Sequence, residues 1–170
     1  MKQTHIPYGF ISGILMVIVG LTLHLAKVDL KSKLMYFAYV PFLAGIIMNA
    51  IAYSKANDGF VTFGNVFGSC FKAAMIITIV MVGWSVISLY ALPDMKEQAM
   101  AMSRESMAKQ PNMTDEQIDM SMEIYKKYWG AITVSGTVLV GLFFGAIFSL
   151  VGAGIAKKKG ARSPFVADGL

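Results

Sequence analysis

Side chains able to bind ions, move protons or attack an electrophile are scarce in the apolar stretches of this chain. His24, Asn49 and Lys72 are the polar residues at depth, with serines and threonines scattered around them. A polar group in a membrane segment is a first pointer to function, because it is costly to keep there. Each also has a structural reading. His24 sits near a helix end and can be wet, and Asn49 can bond between helices. Lys72 can bury its stem and draw its ammonium to the interface. No Asp or Glu interrupts an apolar run, which counts against a proton- or sodium-coupled transporter.

The inventory for catalysis is equally thin. There are two histidines and one cysteine, Cys70. There is no His-Glu-x-x-His, Gly-x-Ser-x-Gly, Gly-rich phosphate loop or carboxylate pair facing an apolar site. Acid–base and nucleophilic chemistry need such sets, so no enzyme, cofactor or metal site is expected. A lone cysteine also excludes an intrachain disulfide. The 13 methionines include Met100, Met102, Met120 and Met122, with Met95, Met107 and Met113 nearby. Thioethers suit Cu(I), but no His or Cys accompanies them there. Adaptable packing is the preferred reading, and Cu(I) binding is left open.

The elements that would carry these residues are apolar. The chain is 56% hydrophobic and only 15% charged, against about 25% charged in soluble domains. The excess lies in four runs, 8–26, 34–53, 63–92 and 129–156, of 19, 20, 30 and 28 residues, against the roughly 20 needed to cross a bilayer. The reading is all-α: a polytopic membrane protein with four transmembrane helices and an extramembrane helical hairpin between the third and fourth. The first run lacks a small-x-small cleavage pattern and is read as a retained span. Pro41 predicts a kink in the second. The third is long; its first turns hold Asn65, Ser69 and Lys72 among Phe63, Val66, Phe67 and Phe71. That start is read as interfacial, with the true span beginning near Ala73.

Residues 93–128 carry seven acids and five bases, a local charge of 5 − 7 = −2. Gln110-Pro111-Asn112 breaks them in two, and Thr114-Asp115-Glu116-Gln117 has the pattern of a capping box. Ile118, Met122 and Tyr125 share one face of the second half; it should turn toward the first hairpin helix, the membrane surface or a partner, and these three are the partner-facing candidates. Asp115, Glu116, Asp119 and Glu123 should face water. Residues 160–170 read as a flexible tail.

The net charge of +5 belongs to loops and helix ends, where lysines anchor to headgroups, and nucleic acid is not an expected partner. The Lys157-Lys158-Lys159 stop, followed by Arg162, favours cytoplasmic termini and a hairpin on the opposite side. Gly9/Gly13, Gly64/Gly68 and Gly141/Gly145 each form Gly-x-x-x-Gly, and Ser149 extends the last. Such faces let helix backbones approach closely. Gly9, Gly13, Gly141, Gly145 and Ser149 are read as packing positions, with the first and last helices meeting through them.

The order of Tyr8-Gly9-x-Ile11-Ser12-Gly13, Thr62-Phe63-Gly64-x-x-Phe67, Gly83-Trp84, Leu92-Pro93-Asp94-Met95 and the closing lysines over about residues 6–159 resembles the domain of unknown function 4199 family. The resemblance implies a small four-helix bacterial inner-membrane protein and transfers no ligand or catalytic residue. Two functions compete. One is an accessory or scaffold subunit, in contact with the lipid bilayer and with other membrane proteins or itself. The other is a small-solute or metal-ion transporter or channel acting as an oligomer, which calls for a wet cavity lined by Asn49, His24 or Lys72.

Overall fold

The computed structural model describes residues 2–29, 32–111 and 113–159. Lys31, Asn112 and the tail from Gly160, Arg162 included, lie outside the described residues. Among these residues the helices are α1 (His5–Leu25), a 3-10 helix (Lys33–Tyr39), α2 (Val40–Ala56), α3 (Phe63–Ala91), α4 (Pro93–Ala108), α5 (Asp115–Lys127) and α6 (Trp129–Ile155).

Four segments are long and apolar enough to cross a membrane: His5–Leu25, Lys33–Ala56, Phe63–Ala91 and Trp129–Ile155. Only 22–28% of each is buried within the protein. Ile6, Phe10, Ile14 and Ile18 on α1 are exposed, as are Leu139, Phe143 and Leu150 on α6. Apolar area on this scale is unusual on a water-soluble monomer and is satisfied by lipid, so the architecture is compatible with a multi-pass membrane protein.

One expectation about these segments needs correction. Pro41 does not kink a continuous helix. It is the second residue of α2, where its missing N–H has no carbonyl to serve, and residues 33–39 before it wind as a 3-10 helix capped by Ser32 (Leu34 N–H to Ser32 Oγ, 3.2 Å). The start of α3 is continuous with the rest of the helix: Val66, Ser69 and Cys70 are buried, and Val66 and Cys70 belong to the same apolar core as Phe42, Ile46, Ala50 and Ile77.

The chain divides into two compact units, Met1–Met81 with Leu139–Leu170, and Val82–Val138. In the first, small residues set the helix spacing. An added methyl on Gly45 would lie 1.7 Å from Ser12 Oγ, so α1 and α2 cross nearly backbone to backbone. Gly9 would meet Ala73 O and Ile76 Cβ, both at 2.9 Å, and Gly13 would meet Val80 Cβ at 2.8 Å. Gly141 would meet Thr78 Oγ1 at 2.5 Å, and Gly145 would meet Ala74 Cβ at 2.8 Å. The glycine faces of α1 and α6 therefore both press on α3 and not on each other, which corrects the expected pairing of first and last helices. Ser149 is fully buried, and its hydroxyl has no hydrogen-bond partner among the described residues; its small size is what this position uses. The face continues beyond it through Gly152, whose methyl would sit 3.3–3.4 Å from Ala50, Ile46 and Cys70. Gly64 and Gly68 have open space beside them.

The second unit holds α4 and α5, which pack together. Thr114 caps α5 as the pattern predicts: its Oγ1 accepts from Gln117 N–H (3.3 Å), and Gln117 Oε1 accepts from Thr114 N–H (3.0 Å). Arg104 and Asp119 form an ion pair at 2.7 Å across the hairpin.

Candidate functional site

One end of the first unit gathers His5, Asn49, Ser54, Asn65, Ser69 and Lys72 from the apolar segments. Asn49, in the middle of α2, is fully buried, so its amide must bond within the protein. Its Oδ1 accepts from Thr4 Oγ1 at 2.7 Å, and its Nδ2 donates to Ser69 Oγ at 3.2 Å and to Cys70 Sγ at 3.8 Å. The Cys70 thiol donates in turn to Ile46 O at 3.6 Å. The Asn49 amide thus ties the residue preceding α1 to α3, an interhelical staple and not a solute contact.

The surrounding segments are pinned at the same end. Lys2 N–H donates to Asn57 Oδ1 at 2.9 Å, and Asn57 Nδ2 donates to Tyr53 O at 2.8 Å. The turn after α2 passes through Asp58 (φ 56°) and Gly59 (φ 78°), the left-handed region that Asp and Gly tolerate. It is stitched to the chain following α6: Lys159 N–H donates to Gly59 O at 2.7 Å, and Ser54 Oγ donates to Lys157 O. Lys158 and Lys159 place their ammonium groups 5.9 and 5.4 Å from the ring centres of Phe63 and Phe60. Lys2, Lys55, Lys157, Lys158 and Lys159 therefore collect at one end of the helices.

Lys72 opens onto a recess of about 290 Å³ at this end, lined also by Gln3, His5, Asn65, Ser69 and the glycine pair 64/68. Lys72 is exposed and has no ion-pair partner among the described residues. Thr62 and Asn65 cap the start of α3 reciprocally. Asn65 Oδ1 accepts from Thr62 Oγ1 (2.8 Å) and Thr62 N–H (3.2 Å), and Thr62 Oγ1 accepts from Asn65 N–H (3.3 Å). The Asn65 carboxamide N–H groups are left without a bond among the described residues. Asn65, Ser69 and Lys72 already share a helical face in the sequence. What the sequence did not disclose is that Gln3 and His5 close this face from the start of α1.

His24 is elsewhere. It is half-buried in the last turn of α1, about 28 Å along the helix from His5 at 1.5 Å per residue. The three polar candidates thus occupy three environments: Asn49 in a closed network, Lys72 on an open recess, His24 at the opposite end.

In the second unit the Ile118/Met122/Tyr125 face turns toward the first hairpin helix, one of the three coverings expected for it, so it is not the free partner face. Ile118 is 3% exposed, and Met122 and Tyr125 are half-buried; Met122 shares a cleft with Pro93, Lys96, Met100 and Arg104 of α4. The face looks inward because α4 covers it. Met120 (66% exposed), Ile124 (54%) and Tyr128 (50%) form a second apolar stripe in steps of four on the outside. Asp115, Glu116, Asp119 and Glu123 are exposed, as expected.

A family model described as a protein of unknown function (DUF4199) matches residues 7–158. No curated protein and no solved structure matches the chain.

Proposed function

The chain belongs to the DUF4199 family, and we propose that this member is a non-enzymatic accessory or scaffold subunit of a bacterial inner membrane. In this reading both termini are cytoplasmic, the α4–α5 hairpin is periplasmic, and the outer face of α5 contacts another membrane protein. The observation that carries the reading is the Met120/Ile124/Tyr128 stripe on a helix whose opposite face is already satisfied by α4. A two-helix element gains little from an exposed apolar stripe in water, whereas a partner surface buries it. Methionine at its centre adapts to an irregular counterpart. The compact Lys157-Lys158-Lys159 triple next to the last span supports the orientation.

The test is a photo-crosslinking residue at position 124 in native membranes, read by mass spectrometry. A stoichiometric adduct with one membrane protein, lost in the double variant Met120→Asp/Ile124→Asp while the four helices still insert, supports the reading. Crosslinks to lipid alone count against it. The rival reading, an oligomeric transporter or channel for a small solute or metal ion, has the recess at Lys72 in its favour. Against it, Phe42, Ile46 and Ile77 fill the core of the bundle. Flux in liposomes would favour the rival.

A further inference from the structure

The recess between the starts of α1 and α3 has a chemistry independent of the hairpin reading. Its lining offers donors: the Lys72 ammonium, the His5 imidazole and the carboxamides of Gln3 and Asn65. Among the described residues no carboxylate lines it, and none of them neutralises the positive charge of Lys72 locally. The recess is also shaped for a visitor. Gly64 and Gly68 stand one turn apart on the α3 face that leads to Lys72, and a methyl added at either would meet nothing within 4 Å. The walls are fixed by the bonds through Thr4, Asn49 and Ser69 immediately behind them.

Depth matters as much as composition. Helix α1 has 21 residues, about 31 Å at 1.5 Å per residue, close to the roughly 30 Å of a bilayer's hydrocarbon. His5 is its first residue, so a bilayer matched to the length of α1 would have its hydrocarbon edge near His5. Lys72 shares a recess with His5, so its ammonium would then be within reach of lipid phosphates. The start of α3 adds the positive end of a helix dipole, and the lysines at the same end raise the local concentration of anions.

From these observations we infer that the Lys72–His5 recess binds a phosphate group, with Lys72 and the Asn65 and Gln3 carboxamides donating to its oxygens and the Gly64/Gly68 groove accommodating what is attached to it. Such a phosphate can be a lipid headgroup or a free anion, and the two are separable.

The experiment uses the full chain in a neutral maltoside detergent. It is titrated with dioctanoyl phosphatidylglycerol, with phosphate-free dioctanoylglycerol and with inorganic phosphate. Binding is read as a saturable rise in melting temperature and as an adduct in native mass spectrometry. Phosphatidylglycerol should bind saturably and dioctanoylglycerol should not. Lys72→Gln should weaken binding about tenfold, the scale of one hydrogen bond to a charged group. Lys55→Gln, at the same end but outside the recess, should change it less than about twofold, as expected for a screened surface charge. Gly68→Leu fills the groove without touching the charge, and it should weaken lipid binding in a protein that melts like the parent. Inorganic phosphate binding that also depends on Lys72 assigns the site to the phosphate group itself; phosphatidylglycerol alone assigns it to a lipid headgroup. Equal losses in Lys72→Gln and Lys55→Gln, unchanged binding in both Lys72→Gln and Gly68→Leu, or no saturable binding of either phosphate probe would overturn the inference.

Discussion

Gly145→Ala adds a single methyl where α6 crosses α3, and the structure sets its cost. The new Cβ would stand 2.8 Å from Ala74 Cβ, whereas carbon atoms rest at about 3.5–4.0 Å. Neither methyl has a rotamer through which to escape, so the helices must separate by roughly 1 Å. A radial gap of that size forfeits about a quarter to a half of each dispersion contact along the seam, and overpacking of this kind typically costs about 1–3 kcal/mol. Alanine's higher helix propensity, worth about 1 kcal/mol in water, offsets little of this in a membrane, where the helix persists when helices part. A net loss of about 1–2 kcal/mol follows. The decisive comparison is the swap. Ala74→Gly alone removes a buried methyl and should also destabilise, but Gly145→Ala/Ala74→Gly restores one methyl at the crossing and should melt within a degree or two of the parent. Gly154→Ala, with nothing within 4 Å of the added methyl, serves as the control and should be neutral. The assay is thermal unfolding in mild detergent followed by size-exclusion chromatography. A parent-like melt for Gly145→Ala, or a swap as unstable as the sum of its single changes, would refute close packing of α6 on α3.

Asn49→Leu should destabilise by about 1–2 kcal/mol, near the upper range for interhelical hydrogen bonds in membranes, because Thr4 Oγ1 and Ser69 Oγ both lose their partner; Thr4→Val should cost about half as much, both read in the same melts. In a Cys70→Ser background, single cysteines at Ser106 and Lys55 report orientation: an impermeant maleimide added to intact cells should label position 106 and not 55, and the reverse pattern would invert the proposed topology.

The four apolar spans and the α5 cap were legible because each depends on local sequence: run length for the spans, the Thr114–Gln117 pair for the cap. What the sequence hid was the identity of partners across space. A Gly-x-x-x-Gly face states how near another backbone may come but not whose it is, and both faces turned out to press on α3. Ile118, Met122 and Tyr125 define a face by periodicity, yet α5 carries a second apolar stripe at 120, 124 and 128, and only the placement of α4 decides which is covered. His5 escaped attention because the uninterrupted apolar run begins at Tyr8, whereas α1 begins at His5; Pro7 is tolerated in its first turn, so the helix extends past the end of the apolar run. Pro41 was misplaced for a related reason, since a proline within an apolar run marks a kink or a helix start equally well.

The two surfaces singled out here differ in how firmly they are built, and that difference bears on what each can do. At the Lys72 end, the chain before α1, the turn after α2 and the segment following α6 are joined by the Thr4–Asn49, Lys2–Asn57, Ser54–Lys157 and Lys159–Gly59 hydrogen bonds. A recess whose surrounding backbone is fixed before a ligand arrives has only its side-chain donors to order on binding, which suits a small anion with few contacts to offer. The hairpin has far less holding it. Among its described residues the one buried apolar side chain is Ile118, and the Arg104–Asp119 pair is largely exposed, worth about 0–1 kcal/mol. Short helices with so little buried area are marginal in isolation, so α4 and α5 can repack on a counterpart at small cost. A rigid donor-lined recess at one end and a plastic methionine-bearing face on the hairpin are thus matched to different classes of partner, a phosphate group and a protein surface. Loss of Lys72 should accordingly leave the position-124 crosslink intact, and loss of Met120 and Ile124 should leave phosphate binding intact.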